Sequence, residues 1–472
     1  MRVCLICEGC YPYVPGGVSS WVQMLCSHFS DIEFVIWSIA TTRAEMSKPA
    51  YNMPENIKEL HTMYIGEETF RPTHKNIKLS AEDKNTLREL IIGDGKNEDW
   101  KICLDFFKRY RIHLEDILMG TDFYEICLEK YKSVNSKKVF FDFLWNYRSM
   151  YFPLIYVLAQ DIPQADIYHA VSAGYAGILG SCASYVSGKP FILSEHGIYT
   201  REREEDIIRS HWVQGDFKQN WIDFFSMLSN ITYGKADVIT SLFDVNRQLQ
   251  VEIGCPSEKI VIIPNGVKTD TLSHLQSVNM VEHGDKFNIG AVLRVVPIKD
   301  LKTMIFAFAA VRDKYENAVL YIMGNCAEDK EYYEECNRIV QEVGIADIHF
   351  LGQVDIRQYL PDMDLLLLSS ISEGQPLAMI EGMSAGLPFV STNVGDCKAL
   401  LEGDGNDDFG KAGIVVPVMN SEEMAKAIEY MYLHPKERRQ MGAAGQKRAC
   451  TRYKQQNFLD EYRKLYERLG GK

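Results

Sequence analysis

Two carboxylates, Glu373 and Glu381, stand eight residues apart within SISEGQPLAMIEGMSAGLPFVSTNVGD. Before them, MDLLLLSS is an apolar run ending in serines, the pattern of a buried parallel strand. After Pro376 the pattern is helical as far as Gly386, and LPFVST reads as the next strand. Glu373 therefore falls on a loop at the carboxyl end of a strand, and Glu381 about one turn into the following helix. In an open α/β sheet that edge binds ligands, because a helix N-terminus offers unpaired N–H groups and the positive end of a dipole. An anion held on the loop amides, with a carboxylate on either side accepting hydrogen bonds from hydroxyls, makes a site for a phosphate-linked, hydroxyl-rich molecule such as a nucleotide sugar. The plainer alternative is an exposed loop Glu and a solvated helix Glu that merely fall at this spacing.

Other residues could share that chemistry. In AVLRVVPIKDLKT, Arg294 and Lys299 flank a proline just after a strand, where Arg can bind phosphate oxygens as a fork and Lys as a point charge. In isolation they would read as two solvated loop cations, and their place at a strand end upstream of Glu373 favours a ligand. Gly16 and Gly17, in PYVPGGVSSWV, lie between the first strand and a helix, where backbone amides are available. A Gly-Gly alone is an ordinary turn signal. His196, in ILSEHGIYTRERE, sits at another strand end among Glu195, Tyr199, Arg201, Arg203 and Glu204, a density of polar groups that looks like a cleft lining. His169, in DIYHAVSAGYAGILG, is a weaker candidate that could equally cap a helix or sit in the core.

These residues need a frame. RVCLICE, IEFVIWSI, ADIYHA, KPFILS, ADVITS and KIVIIP read as short strands with helices between them, a doubly wound first domain over residues 1–280. Residues 66–165 change pattern to helical periodicity rich in aromatics, including Trp100, Phe106, Phe107, Tyr110, Phe140, Phe141, Phe143, Trp145, Tyr147, Tyr151 and Phe152. This is expected to be a mostly helical insertion whose aromatics form core rather than a ligand cage. From Lys286, FNIGAVL, AVLYIMG, DIHFLG, DLLLLSS, LPFVST and GIVVPV are six further strands, a second Rossmann-like domain over 286–450. The polar stretch Ser277–Asp285 reads as the linker, and 451–472 as a C-terminal helix that could pack back on the first domain. The segment Lys436–Lys472 holds 11 Lys/Arg against 4 Asp/Glu, which reads as a solvated basic face, with docking on an anionic surface as the alternative.

Bulk properties exclude several classes. A chain of 472 residues with 46% hydrophobic and 24% charged side chains has material for two or three domains. A net charge of −13 argues against a nucleic-acid partner. No run of 18 apolar residues is present and Met1–Glu8 reads directly as a strand, so a cytosolic location is expected. The twelve cysteines are scattered, as reduced thiols are. Cys4, Cys7 and Cys10 have an iron–sulfur-like spacing, but no nearby fourth Cys completes it, and buried apolar thiols are the favoured reading.

The Glu-x7-Glu segment, the Arg294/Lys299 pair and the two-domain pattern together resemble retaining glycosyltransferases of the GT4 class. The strings YPYVPGGVSSWV, SEHGIYTRERE, RVVPIKDLKT and SEGQPLAMIEGMSAGLPFVST resemble its PelF subgroup, of Pel-type exopolysaccharide synthesis. The resemblance implies a GT-B architecture, two Rossmann-like domains facing across a cleft. It implies a UDP-sugar donor, UDP-glucose first among them, a glycan acceptor, and membrane-embedded synthase subunits as partners. Arg294 and Lys299 would hold the donor diphosphate, Glu381 the ribose hydroxyls, and Glu373 the hexose near its anomeric centre. Gly374, Gln375, Pro376 and Leu377 would supply backbone contacts to phosphates and sugar, Gln353 would lie on the loop that reads the base, and Gly16 and Gly17 would face the phosphates. His196 would lie near the transferred sugar, with Tyr199, Arg201, Glu204 and His169 on the acceptor side. Asp362-Met363-Asp364 fits the Asp-x-Asp of metal-dependent transferases but runs into a buried strand, so no metal and no cofactor are expected. Retention comes from the resemblance alone. Gly382 departs from the usual Ala after Glu381. The alternatives are another GT-B enzyme, such as a UDP-sugar 2-epimerase, or a nucleotide-sugar-binding subunit without catalysis.

Overall fold

The computed structural model describes residues 1–44, 48–66, 77–93, 99–134, 139–210, 212–213, 215–281 and 284–471. The chain divides into two units, Met1–Ile263 with Tyr462–Lys472, and Pro264–Glu461.

In the first unit, seven strands among the described residues form one sheet: β1 (Arg2–Glu8), β2 (Glu33–Ala40), β3 (Ile57–Tyr64), β4 (Ile167–Ala170), β5 (Phe191–Ser194), β6 (Val238–Ser241) and β7 (Ile260–Ile262). Their order is β3-β2-β1-β4-β5-β6-β7 and every pairing is parallel. The strand order reverses between β1 and β4, the switch point of a doubly wound sheet. β3 is absent from the sequence reading. It is an edge strand, mostly half-exposed, so IKELHTMY carries polar residues where the central strands carry apolar runs.

The stretch between β3 and β4 is helical where described: Ala81–Ile92, Trp100–Tyr110, Leu114–Met119, Thr121–Ser133 and Phe140–Ala159. The expected insertion bounds also take in residues 67–76, 94–98 and 135–138, which lie outside the described residues. Phe106, Phe107, Phe143, Tyr147 and Tyr151 are buried in one core with β1, β2 and the helix Tyr175–Ser187, whereas Phe141 and Trp145 are exposed.

The second unit has β8 (Phe287–Val292), β9 (Ala318–Met323), β10 (Ile348–Gly352), β11 (Leu365–Leu368), β12 (Phe389–Thr392) and β13 (Gly413–Val416). Among the described residues these form one parallel sheet in the order β10-β9-β8-β11-β12-β13, with its switch point between β8 and β11. Side chains alternate across it: Leu365 and Leu367 enter one core, Leu366 and Leu368 the other. Both faces are covered, which is why these strands read as unbroken apolar runs.

The division between units falls at Ile263/Pro264, ahead of the Ser277–Asp285 stretch read as the linker, of which residues 282–283 lie outside the described residues. Val267 and Leu272 already pack in the second core, and Val267 forms a parallel bridge with Lys454. The helix Gln455–Gly470 starts in the second unit and ends in the first, where Tyr462 and Tyr466 are buried. The basic C-terminal segment is not simply a solvated face. Arg448 is 0% exposed, bonded to both oxygens of Asp407 and to the carbonyls of Leu400, Leu401 and Gly410. Arg438 and Arg452 pair with Asp364 and Asp404.

Candidate functional site

At the switch point of the second sheet, the chain leaving β8 and the chain leaving β11 are laced together. The Ser369 hydroxyl donates to the Lys299 carbonyl at 2.8 Å, and the Ile371 amide to the Ile298 carbonyl at 2.9 Å. This brings Lys299 and Glu373, 74 residues apart, into an ion pair of 2.5 Å, with the Ser370 hydroxyl donating to the same carboxylate oxygen at 2.6 Å. Both side chains are largely buried. Arg294 is exposed and pairs with Glu328 at 2.6 Å on the loop after β9. That loop approaches β8 because Gly324 (φ +154°) has no side chain; a Cβ there would stand 1.8 Å from the Leu293 carbonyl oxygen. Gln353 is exposed just beyond β10.

Downstream of Glu373, the helix Leu377–Ser384 begins after Pro376, which offers no capping side chain; the Met379 amide donates to the Pro376 carbonyl at 3.1 Å, and the first turn has no side-chain acceptor. Glu381 lies on this helix, half-buried, and its carboxylate has no hydrogen-bond partner among the described residues. Burial pushes its pKa up to about 7. The glycine after it fits this structure: a Cβ on Gly382 would sit 2.3 Å from Leu366 Cδ1 and 2.7 Å from Phe389 Cζ, so those two side chains take the room a methyl would need. Gly374 is half-buried, and Gln375 is buried with its amide group turned inward. Its oxygen accepts from the Asn265 amide at 2.7 Å and its nitrogen donates to Asp396 at 2.7 Å.

The Asp362-Met363-Asp364 string lies at the entry to β11 with both carboxylates engaged. Asp362 accepts from the Met280 amide at 3.1 Å, and Asp364 from the Asn288 amide at 3.1 Å and from Arg438 at 2.9 Å. Cys4 and Cys7 are buried on β1, and Cys10 is half-buried beyond its end. Among the described residues no three His, Cys, Asp or Glu side chains gather as a metal-ligand set.

In the first unit, Gly16 and Gly17 are exposed at the start of the helix Gly17–His28, with the Gly16 amide 3.4 Å from the Tyr51 hydroxyl. His196 follows β5, its ring edge-on to Trp21 at 4.8 Å, and its Nε2 has no partner among the described residues. Burial pushes its pKa down to about 4, so the ring is neutral near pH 7. His169 belongs to the core. It is 0% exposed on β4, with Nδ1 against the Tyr466 hydroxyl at 2.8 Å and Nε2 against the Ser194 hydroxyl at 2.7 Å. Tyr199 is also buried, its hydroxyl donating to Glu8 at 3.0 Å. Both are committed internally, which removes them as direct acceptor contacts, while Arg201 and Glu204 are exposed on the helix Tyr199–Arg209.

Three residues escaped the sequence reading of the site. Glu8 ends β1 at the first switch point, and its carboxylate accepts from the Ser172 hydroxyl and the Ala176 amide, both at 3.1 Å. A charge closing an apolar strand was its only signal. Asn265, marked by the turn pair Asn-Gly, and Asp396, in a loop after a strand, gave no sign that Gln375 would join them.

Residues 1–258 match the family described as "Domain of unknown function (DUF3492)", and residues 286–434 match "Glycosyl transferases group 1". The MMP alpha-(1->4)-mannosyltransferase of Mycolicibacterium hassiacum is 22% identical over 286 residues, 60% of this chain and 66% of that protein. A GDP-mannose-dependent alpha-(1-6)-phosphatidylinositol monomannoside mannosyltransferase of Mycobacterium tuberculosis is 23% identical over 236 residues, 47% of this chain and 58% of that protein. The chain thus spans just under two thirds, or less, of the length of these relatives. Among solved structures, Alr3699/HepE of Anabaena in complex with UDP-glucose has a TM-score of 0.62 at 13% identity, over 99% of this chain and 100% of that one. Sucrose-phosphate synthase of Thermosynechococcus elongatus has a TM-score of 0.62 at 15% identity, over 100% of this chain and 99% of that one. The fold is that of the GT-B glycosyltransferases, two α/β units each built on a parallel Rossmann-like sheet.

Proposed function

This chain belongs to the DUF3492 family, and from that premise we propose that it is a hexosyltransferase that moves a sugar from a UDP-sugar, UDP-glucose first, to a glycan acceptor. The observation that carries the reading is the convergence at the second switch point of Lys299, Glu373 and the uncapped helix bearing Glu381. Leaving-group departure places negative charge on the diphosphate. Lys299 and Arg294, with the amides opening the helix Leu377–Ser384, are fixed positive groups that offset it without a metal. Glu381 accepts hydrogen bonds from the ribose hydroxyls. Glu373, held by Lys299 and Ser370, accepts from a hexose hydroxyl. In the first unit, His196, neutral and with no partner for its Nε2 among the described residues, is a further candidate hydrogen-bonding group.

The match to group 1 glycosyl transferases supports the reaction class, and the UDP-glucose complex of a protein with the same fold supports the donor. Retention of configuration, the PelF subgroup, a growing exopolysaccharide as acceptor, a cytosolic site of action and contact with membrane-embedded synthase subunits rest on the four sequence strings and complete the proposal. No helix among the described residues is long and apolar enough to cross a membrane.

The test is calorimetric titration with UDP, UDP-glucose, UDP-GlcNAc and GDP-mannose, each in EDTA and in Mg²⁺. Micromolar UDP binding that persists in EDTA is expected. Preference for GDP-mannose, the donor in the name of the Mycobacterium tuberculosis relative, would replace UDP. Absence of binding to all four would overturn the reading.

A further inference from the structure

Asp396 occupies the position before the helix Cys397–Glu402 where an aspartate ordinarily accepts a hydrogen bond from the first-turn amides. Elsewhere in this chain Ser80, Asp99, Asp300, Asp329 and Asn420 do cap their helices in that way. Asp396 does not. Its carboxylate turns to the side and accepts from Gln375 Nε2 at 2.7 Å, leaving its own helix without a side-chain cap. It is 4% exposed, and burial pushes its pKa up to about 7, so the chain bears both a missing cap and a desolvated acid at this one position. Local rules broken together at one residue commonly mark a functional constraint.

The contact is one strand of a lacing. The Asp396 amide donates to the Gly374 carbonyl at 2.9 Å. Gly395, at φ +50°, lets the loops touch: a Cβ there would lie 2.2 Å from the Gly374 oxygen and 2.3 Å from the Glu373 oxygen. On its other side Gln375 holds Asn265 twice, accepting the Asn265 amide at its side-chain oxygen (2.7 Å) and the Asn265 Nδ2 at its carbonyl (3.3 Å). Gln375 is therefore a crossbar between Asp396 and Asn265, and the backbone of Glu373 and Gly374 rests on it.

We propose that Asp396 is a positioning residue for the donor loop, acting through Gln375 to hold Glu373, Gly374 and the start of the helix Leu377–Ser384 in register with the diphosphate. This rests on the donor-site reading above. Asp396 touches no substrate; it replaces the flexibility of a loop with a fixed set of donors, so its loss appears as weaker donor binding.

The experiment compares the full chain with Asp396→Ala, Asp396→Asn, Gln375→Ala and the Asp396→Ala/Gln375→Ala pair. UDP affinity is read by calorimetry, KM and kcat by UDP-glucose turnover, and deuterium uptake in peptides covering 371–378. Asp396→Ala is expected to weaken UDP binding about tenfold, as loss of one buried hydrogen bond allows, and Gln375→Ala, which also releases Asn265, at least as much; both should raise uptake in 371–378 while β8 and β11 stay protected. Asp396→Asn keeps an acceptor for Gln375 and should bind within about threefold of the parent. The double variant should be no worse than Gln375→Ala alone, because that change already removes the Asp396 bond along with the one to Asn265. Parent-like UDP affinity and uptake in the alanine variants, or additive losses in the pair, would overturn the proposal. A parent that binds no UDP would instead overturn the donor-site reading, and uptake in 371–378 would then decide whether Asp396 holds the loop.

Discussion

At the scale of single residues, two carboxylates of one type differ because their surroundings differ. Glu373 is paired with Lys299, whereas Glu381 has neither a cation nor a donor among the described residues, and burial raises its pKa from 4.5 to about 7. It is mostly protonated at pH 6 and mostly ionised at pH 8, and the ionised form is the better acceptor for two ribose hydroxyls. UDP-glucose carries no phosphate that titrates in this range, so its affinity for the parent should rise from pH 6 to pH 8. Glu381→Gln should flatten that rise and bind more weakly, about tenfold at pH 8. A parent profile already as flat as the variant's would remove the ribose assignment. In the proposed arrangement Glu373 contacts the sugar rather than the nucleotide. Glu373→Ala should therefore leave UDP affinity within about threefold while kcat falls by about a hundredfold, the signature of contact strengthened in the transition state. Equal losses in binding and turnover would move Glu373 to the nucleotide.

Elements set these side chains by close approach as much as by hydrogen bonds. Gly324, Gly382 and Gly395 each stand where a methyl would meet a neighbouring strand, side chain or carbonyl, and their absence of bulk draws the loops after β8, β9, β11 and β12 together. The C-terminal helices contribute differently. Arg448 is buried on the helix Pro435–Arg452 with all its bonds made inside the second unit. Arg448→Met should destabilise that unit by about 3–5 kcal/mol, since it leaves buried Asp407 with only Arg452 at 3.5 Å as a cation and strips three carbonyls of their donor. Denaturant unfolding measures this directly, and a loss below about 1 kcal/mol would show that the region relaxes around the change.

At the scale of the molecule, three hydrophobic clusters each stay within one unit, one drawn from residues up to Cys255 and two from residues after Pro264. Scanning calorimetry should resolve two transitions. UDP should raise only that of the second unit, by about 2.7 kcal/mol at a hundredfold excess over Kd. A single transition raised as a whole would mean that the units unfold together.

Local pattern made much of this legible. Apolar runs buried on both faces of a parallel sheet announce themselves, so twelve of the thirteen described strands, the helical insertion and the loop bearing Glu373 could be read from the chain. β3 could not, because an edge strand carries the polar residues of a solvated one. Neither could His169 or Tyr199 be assigned: a histidine after an apolar run reads alike whether it faces a ligand or a buried tyrosine 297 residues away. The Lys299–Glu373 pair and the Asp396–Gln375–Asn265 lacing were beyond the sequence for the same reason. Periodicity reports which face of an element is apolar, whereas contacts among residues 21, 74 and 110 positions apart exist only once crossovers have ordered the strands and brought their carboxyl ends side by side.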